Sequence, residues 1–295
     1  MKKHNGTRLD TVEGIRVIDC RECGFAHVKP LPSTETLKQL YEQEFYEAER
    51  PNYFKETKED LPWWLATYEN YYKLFESYTK GRRVLDVGSG PGHFLLAGKK
   101  RGWEVLGIEP SSAAAHYSNA RGLKTINDFF SYERAKDLGT FDVVHAAMVL
   151  EHVPDPVGFI KDMKKMLKPK GLLAIFCPND YNPLQKILRE ERDFKPWWVV
   201  PRHHLNYFTP QSLAKLIARL GLRVRDVLGT YPLETFLLAG KKYVGNHTLG
   251  RACHAKRKQF ELSLYKKDPE LINDLYRGLA VAGIGRECIV IAQKK

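Results

Sequence analysis

The chain has 295 residues, 43% of them hydrophobic, with five cysteines and a formal net charge of +12. That length and apolar share support one large domain, or a core domain with appendages, around a full hydrophobic core. No apolar run approaches the roughly 18 residues of a membrane span, and residues 1–10 lack the apolar stretch of a signal peptide, which argues against membrane-spanning and secreted classes. An odd cysteine count with one close pair fits a reducing compartment, so a cytoplasmic protein is expected. The basic balance would suit nucleic acid, but the excess is scattered over expected helices and over 161–170 and 251–258. Charge alone is a weak signal, and a solvated basic face or a site for an anionic small molecule explains it as well. Nucleic acid is therefore not the favoured partner.

Residues 17–25 (VIDCRECGF) read as a β-knuckle, followed by Pro30 and Pro32. Tetrahedral structural zinc needs four ligands, and beyond Cys20 and Cys23 the nearest donors are His4 and His27. The first 19 residues hold no cysteine. The knuckle is expected to hold no tightly bound zinc, and the chain no metal. Ser33-Thr34-Glu35-Thr36 can cap a helix continuing through Leu37, Leu40 and Tyr41. From Trp64 onward aromatics recur at helical spacing (Tyr68, Tyr71, Tyr72, Phe75), which predicts a helix packed on the core. Residues 1–80 are thus expected to form a knuckle and an aromatic helical arm, and 81–295 the main domain.

That domain opens on RRVLDVGSGPGHF, residues 82–94. Val84, Leu85 and Val87 make a short β-rich run, Asp86 sits near its end, and Gly88, Gly90 and Gly92 alternate before a helical pattern begins. Strand, glycine loop and helix together let backbone N–H groups and a helix N-terminus meet a polar ligand. The glycines permit the tight turn and the close approach. A second run, 103–108, ends in Glu109, an acid placed as nucleotide sites place one for two ribose hydroxyls. A third, 123–126, precedes Asn127-Asp128-Phe129. A fourth, Phe141-Asp142-Val143-Val144-His145, leads into Val149-Leu150-Glu151-His152-Val153. A fifth, 171–176, follows Leu167-Lys168-Pro169-Lys170. Helices are expected at 94–101, 112–121 and 157–167, the last set up by Pro154-Asp155-Pro156.

The spacing G-x-G-x-G after Asp86 resembles motif I of the class I S-adenosylmethionine-dependent methyltransferases. FDVV, LEHVPDP and LKPKG resemble the later motifs of their small-molecule members, so the resemblance is strong over residues 82–180. It implies an α/β fold, a Rossmann-like seven-stranded sheet with helices on both faces and an antiparallel last strand. It also implies S-adenosyl-L-methionine as cofactor, held by Asp86, Gly88, Ser89, Gly90, Gly92 and His93. By the same resemblance Glu109 takes the ribose, Asp128 and the N–H of Phe129 take the adenine, and Met148 and His152 lie near the methionine end. Family members also use the segment before motif I as a cleft lid, which singles out Tyr46 and Tyr53. Some RNA members bind metal through E-x-x-E-H, but Met148 occupies the first of those positions here.

Beyond the fifth run, residues 202–210 (RHHLNYFTP) resemble the HHLNFFT-type stretch of a sugar-type subfamily. Members of that subfamily carry a zinc-ribbon-like arm, which residues 1–32 resemble in degenerate form. Class I enzymes meet the methyl acceptor at this point of the chain. His204 is accordingly the expected general base, since histidine titrates near neutral pH, with His203, Tyr207 and Arg202 as positioning neighbours. An amphipathic helix at 213–220 stops at Gly221, and strands are expected at 222–228 and 287–293. Residues 181–212 and 235–285 read as substrate-side or interface insertions, the second basic and helical. The reading is methyl transfer to a small-molecule acceptor, a sugar or nucleotide-sugar oxygen or carbon. Two others stay open: a tRNA or rRNA methyltransferase, and a non-catalytic cofactor-binding scaffold.

Overall fold

The computed structural model describes residues 4–31 and 57–295. The cap expected at Ser33 and the aromatics Tyr46 and Tyr53 lie outside the described residues. In β4 (Arg83–Val87) every residue from Val84 to Val87 is buried, as expected of a strand covered on both faces. Alternation of side chains then divides the core in two. Leu85 and Val87 join Ile108, Val144, Ile160, Met163 and Ile175 on one face. Val84 joins Tyr71, Tyr72, Phe75, Phe94, Val143 and Phe176 on the other. Each such side chain, fully buried, contributes about 1.5–3 kcal/mol.

Around β4 run β5 (Glu104–Ile108), β6 (Thr125–Ile126), β7 (Phe141–Ala147), β8 (Leu167–Pro178), β10 (Leu222–Gly229) and β11 (Glu287–Lys294). The sheet order is β10-β11-β8-β7-β4-β5-β6. The pairs among β4 to β8 are parallel, while β11 runs antiparallel to both β8 and β10. The expected seven-stranded sheet with an antiparallel last strand is borne out. The crossover helices fall close to their expected places, at His93–Lys100, Ser112–Ala120 and Pro156–Lys165. A helix at Pro210–Arg219 precedes β10.

The aromatic helix spans Leu61–Tyr78 and is a layer of this core. Tyr72 stacks on Phe94 with ring centroids 4.7 Å apart. The segment 235–285 is helical as expected, but it is also structural: helices at His247–Lys267 and Pro269–Ala282 pack on Leu61–Tyr78 and on β10. Glu261, fully buried, accepts from Trp63 Nε1 at 2.7 Å and from Tyr276 Oη at 2.6 Å. Arg257 lies 3.8 Å from its carboxylate and 4.8 Å over the Trp63 ring.

A second, four-stranded antiparallel sheet has the order β1-β2-β3-β9. Its strands are β1 (Gly6–Val12), β2 (Ile15–Cys20), β3 (Phe25–Lys29) and β9 (Asn206–Tyr207). The N-terminal knuckle therefore pairs with the stretch after the fifth parallel strand, Ala26 opposite Tyr207 and His27 opposite Asn206. Val17, Val28, Trp198, Leu205 and Tyr207 form its own small core. Among the described residues, no helix is long and apolar enough to cross a membrane.

Candidate functional site

The carboxyl ends of β4, β5 and β7 converge on the glycine loop. Gly88, Gly90 and Gly92 take φ of 73°, 50° and 76°, backbone that other residues adopt only under strain. A Cβ on Gly88 would come within 2.4 Å of Val149, so this turn and the one after β7 are in contact. Glu109, at the end of β5, is 4% exposed. Its carboxylate accepts from Gly90 N–H and from Ser111 N–H, both at 2.8 Å. Burial above all pushes Glu109 up to about 7, against those two hydrogen bonds and with help from Asp86.

Asp86 faces His145 Nδ1 at 2.7 Å, fully buried, and the His145 ring stacks on Phe94 at 3.9 Å. His145 was not singled out from sequence, where it reads as one more residue of an apolar strand. His93 points toward Arg121, whose Nη1 lies 3.1 Å from its Nδ1, and burial, then that guanidinium, lowers His93 to about 4. Asp128 accepts the N–H of Phe129 at 2.8 Å and pairs with Arg134. Met148 has φ 55° and is exposed, at the rim beside Val149. Ser89 Oγ is buried without a hydrogen-bond partner among the described residues. A strained glycine turn, an orphaned hydroxyl and a half-neutralised buried acid are what a nucleoside cofactor would complete, so these residues fit S-adenosylmethionine.

A second cluster forms where the turn after β7 meets the segment before β9. The one-turn 3₁₀ helix Leu150–His152 sets Glu151 inward and His152 partly outward. Leu205 N–H donates to the Glu151 carbonyl at 2.7 Å, and Asn206 Nδ2 donates to the carbonyls of Leu150 and Val153 at 3.2 and 2.7 Å. These bonds bring His204 to His152, ring centroids 5.1 Å apart and edge-on. His152 Nδ1 donates to the His203 carbonyl at 2.8 Å, and its Nε2 lies 3.6 Å from Glu151. Burial first, and His204 next, hold His152 down at about 3, while burial pushes Glu151 up to about 7. Asp180 Oδ2 stands 3.8 Å from His204 Nδ1.

His152, expected near the methionine end and weighed as a weaker candidate for the base, lies in the same cluster as His204. Glu151 and Asp180 were missed as members of it. The expectation of no metal meets two donor clusters: Glu151, His152 and His204 here, and His4, Cys20, Cys23 and His27 in the knuckle, the ligand atoms of each within 4.8 Å of one another. Tyr207 is 2% exposed in the small sheet's core and burial raises its pKa, so it packs rather than titrates. Arg202 pairs with Glu13 of the hairpin turn at 2.5 Å.

A seven-stranded sheet with an antiparallel last strand, carrying a glycine loop and a following acid, defines a class I methyltransferase fold. The chain belongs to the methyltransferase-domain family, which it matches over residues 39–227, and it is an S-adenosylmethionine-dependent methyltransferase. That match begins before residue 80 and takes in the aromatic helix Leu61–Tyr78. The ubiquinone biosynthesis O-methyltransferase of Aliivibrio fischeri is 29% identical over 180 residues, 57% of this chain and 76% of that protein. The protein of the same name from Aeromonas salmonicida is 30% identical over 181 residues, 57% and 74%. Among solved structures, a SAM-dependent methyltransferase from Archaeoglobus fulgidus aligns with a TM-score of 0.50 at 20% identity, covering 77% of this chain and 92% of that one. The plantazolicin methyltransferase BamL, solved with a desmethylplantazolicin analogue and SAH, aligns at 0.54 with 13% identity, covering 88% and 97%.

Proposed function

We propose that the protein methylates a hydroxyl oxygen of a small-molecule acceptor, with His204 removing the proton. The observation that carries this reading is the His204–His152–Asp180 cluster, placed beside the turn that touches the glycine loop. S-adenosylmethionine, when bound, supplies a methyl group already activated on a sulfonium. The chain's own residues then have two tasks, alignment of the acceptor and removal of its proton.

Gly88 to Gly92, Ser89, Asp86, Glu109, Asp128-Phe129 and Met148 would hold the cofactor. Asp180 behind Nδ1 orients His204 and stabilises its protonated form, leaving Nε2 to take the proton, the division of labour of a base and its orienting carboxylate. His152, neutral because it is buried, fixes the His203 carbonyl and so the backbone that carries His204.

The relatives' printed names support oxygen as the acceptor atom. The resemblance of residues 202–210 to the sugar-type stretch supports a sugar or nucleotide-sugar hydroxyl within that class. A phenolic hydroxyl, suggested by the same relatives, is the competing member. The test is incubation with methyl-labelled cofactor and a panel of nucleotide sugars, polyprenylated phenols and bulk tRNA. Label in a sugar or phenol ether supports the reading, and label only in tRNA overturns it. One second reading has a specific observation behind it: Glu151, His152 and His204 could together hold a divalent ion that polarises the acceptor hydroxyl. Stimulation of turnover by a divalent ion that survives in Cys20→Ser and is lost in Glu151→Gln, with cofactor affinity intact in both, would favour that version.

A further inference from the structure

The knuckle was expected to be metal-free because its first 19 residues hold no cysteine, yet the fold gathers four donors. Cys20 and Cys23 flank a tight turn in which Gly24, at φ 76°, donates its N–H to the Cys20 carbonyl at 2.8 Å. His27 lies on the neighbouring strand β3. His4 is held over them by Lys29 Nζ on its carbonyl at 2.6 Å, and the next residue, Asn5, donates to Glu22 Oε2 at 2.9 Å. His4 Nδ1 then lies 3.1 Å from His27 Nε2, 3.4 Å from Cys23 Sγ and 3.7 Å from Cys20 Sγ. With Zn–S of about 2.3 Å and Zn–N of about 2.0–2.1 Å, the edges of a tetrahedral S2N2 site measure about 3.3–3.8 Å. His4 Nδ1 already stands near those separations from the other three donors, and all four donor atoms lie within 4.8 Å of one another.

The surrounding hydrogen bonds point the same way. His27 Nδ1–H donates to the Val28 carbonyl at 2.8 Å, which fixes the proton on that nitrogen and leaves the Nε2 lone pair facing the other donors. Outer-shell bonds of this kind fix the tautomer of a metal-binding histidine. Cys20 and His27 are buried, and two thiolates with two neutral imidazoles would neutralise a divalent ion.

We propose that His4, Cys20, Cys23 and His27 hold a structural zinc ion, and that this ion anchors the strand leading from His204. Four protein ligands leave no open position, which marks a structural site, and a tetrahedral S2N2 set selects zinc. Binding forms two Zn–S and two Zn–N bonds and releases the two thiol protons to solvent. The anchoring follows from β-pairing: ligand His27 sits opposite Asn206, Val28 N–H donates to the Leu205 carbonyl at 2.9 Å, and Arg219 donates to the Cys23 carbonyl. The ion would thus stabilise the two segments that follow His204, β9 and the helix Pro210–Arg219.

Elemental analysis of the full chain, purified reduced and without chelator, is expected to find about one zinc per chain, lost in Cys20→Ser and kept in Cys253→Ser. Cobalt added to chelator-stripped protein should give tetrahedral d–d bands and a thiolate charge-transfer band. Where Cys20→Ser fails to fold, that spectrum in the unsubstituted chain decides. Zinc below about 0.1 per chain after reduction and metal addition, or no thiolate–cobalt band, overturns the site. Hydrogen exchange tests the anchor: chelation should lower protection at 26–28 and 205–208 together while 84–87 stays protected. Loss confined to the 20–24 turn overturns the anchoring.

Discussion

The two sheets of this protein are held together by different physics. The seven-stranded sheet is buried on both faces, by apolar clusters that run from Leu85 to Val290 on one side and from Tyr71 to Ile291 on the other. The four-stranded sheet has a small core around Val17, Val28 and Leu205, and its last strand is two residues long. It reaches the large sheet through Phe25 of β3 and Phe208, which enter that sheet's apolar core 4.8 Å apart, and through polar bonds, Leu205 to Glu151 and Asn206 to Leu150 and Val153. The large sheet therefore supplies rigidity to the cofactor loop. The small one positions the acceptor-side histidine through the pairing of β3 with β9 and the bonds of Leu205 and Asn206 to the turn after β7.

The sharpest way to test this division is to remove the small sheet's chemical contribution and leave the large sheet untouched. His204→Ala deletes the proposed base without touching the glycine loop. General bases of this kind contribute about 10²–10⁴ in rate, so turnover should fall by about that factor. S-adenosylmethionine should bind as before, measured by calorimetry. Full turnover on the true acceptor would reduce His204 to a packing residue.

A second change asks how far the large sheet's unit extends. If residues 247–282 belong to its core, then Glu261 is a buried charge on which Arg257, Trp63 and Tyr276 all depend. Breaking such a set from one side costs about 3–5 kcal/mol, because the remaining partners stay buried and unsatisfied. Glu261→Ala should lose that much in denaturant unfolding. A loss below about 1 kcal/mol would make the segment a detachable insertion after all.

What could be read in the sequence follows the same line. The run Val84-Leu85-Asp86-Val87 and the alternating glycines are local signals, written in consecutive residues, and they placed the fold and the expected cofactor residues. The pairing of His27 with Asn206 joins segments far apart in the chain through a two-residue strand, which no periodicity can register. Asp180 reads from sequence as part of a turn, and Glu151 as part of a cofactor motif. Only the fold shows that both face histidines. The four knuckle donors were counted correctly, but their convergence depends on Lys29 and Glu22 holding His4 and Asn5, hydrogen bonds without a sequence signature.

Within the large sheet, Glu109 separates cofactor binding from everything the small sheet does. Glu109→Ala removes an acceptor of charge-assisted hydrogen bonds, and cofactor affinity should fall by about 1.5–3 kcal/mol. Gly90 and Ser111 would lose their acceptor at the same time. Calorimetry showing unchanged affinity would end the ribose assignment, while His204→Ala would be unaffected by that result.

The smallest expected effect is a pH dependence, and it reports the state of Glu109 directly. Burial pushes this acid up to about 7, so near pH 6 most of it is neutral and near pH 8 most of it is charged. Ribose hydroxyls donate to the carboxylate more strongly than to the acid, so the cofactor favours the deprotonated form and its binding releases a proton. Affinity should therefore weaken as pH falls through 7, by about tenfold between pH 8 and pH 6 for a single group with that pKa. Other groups titrate in this window, among them the cofactor's own amine, so the comparison that isolates Glu109 is with Glu109→Gln. The glutamine keeps the shape and cannot titrate, and it should bind more weakly but without this component of the slope. Calorimetry at pH 6, 7 and 8 on both proteins reads the difference. Equal slopes in the two would remove Glu109 as the titrating group and return the closed Gly90–Glu109 contact to a purely structural role.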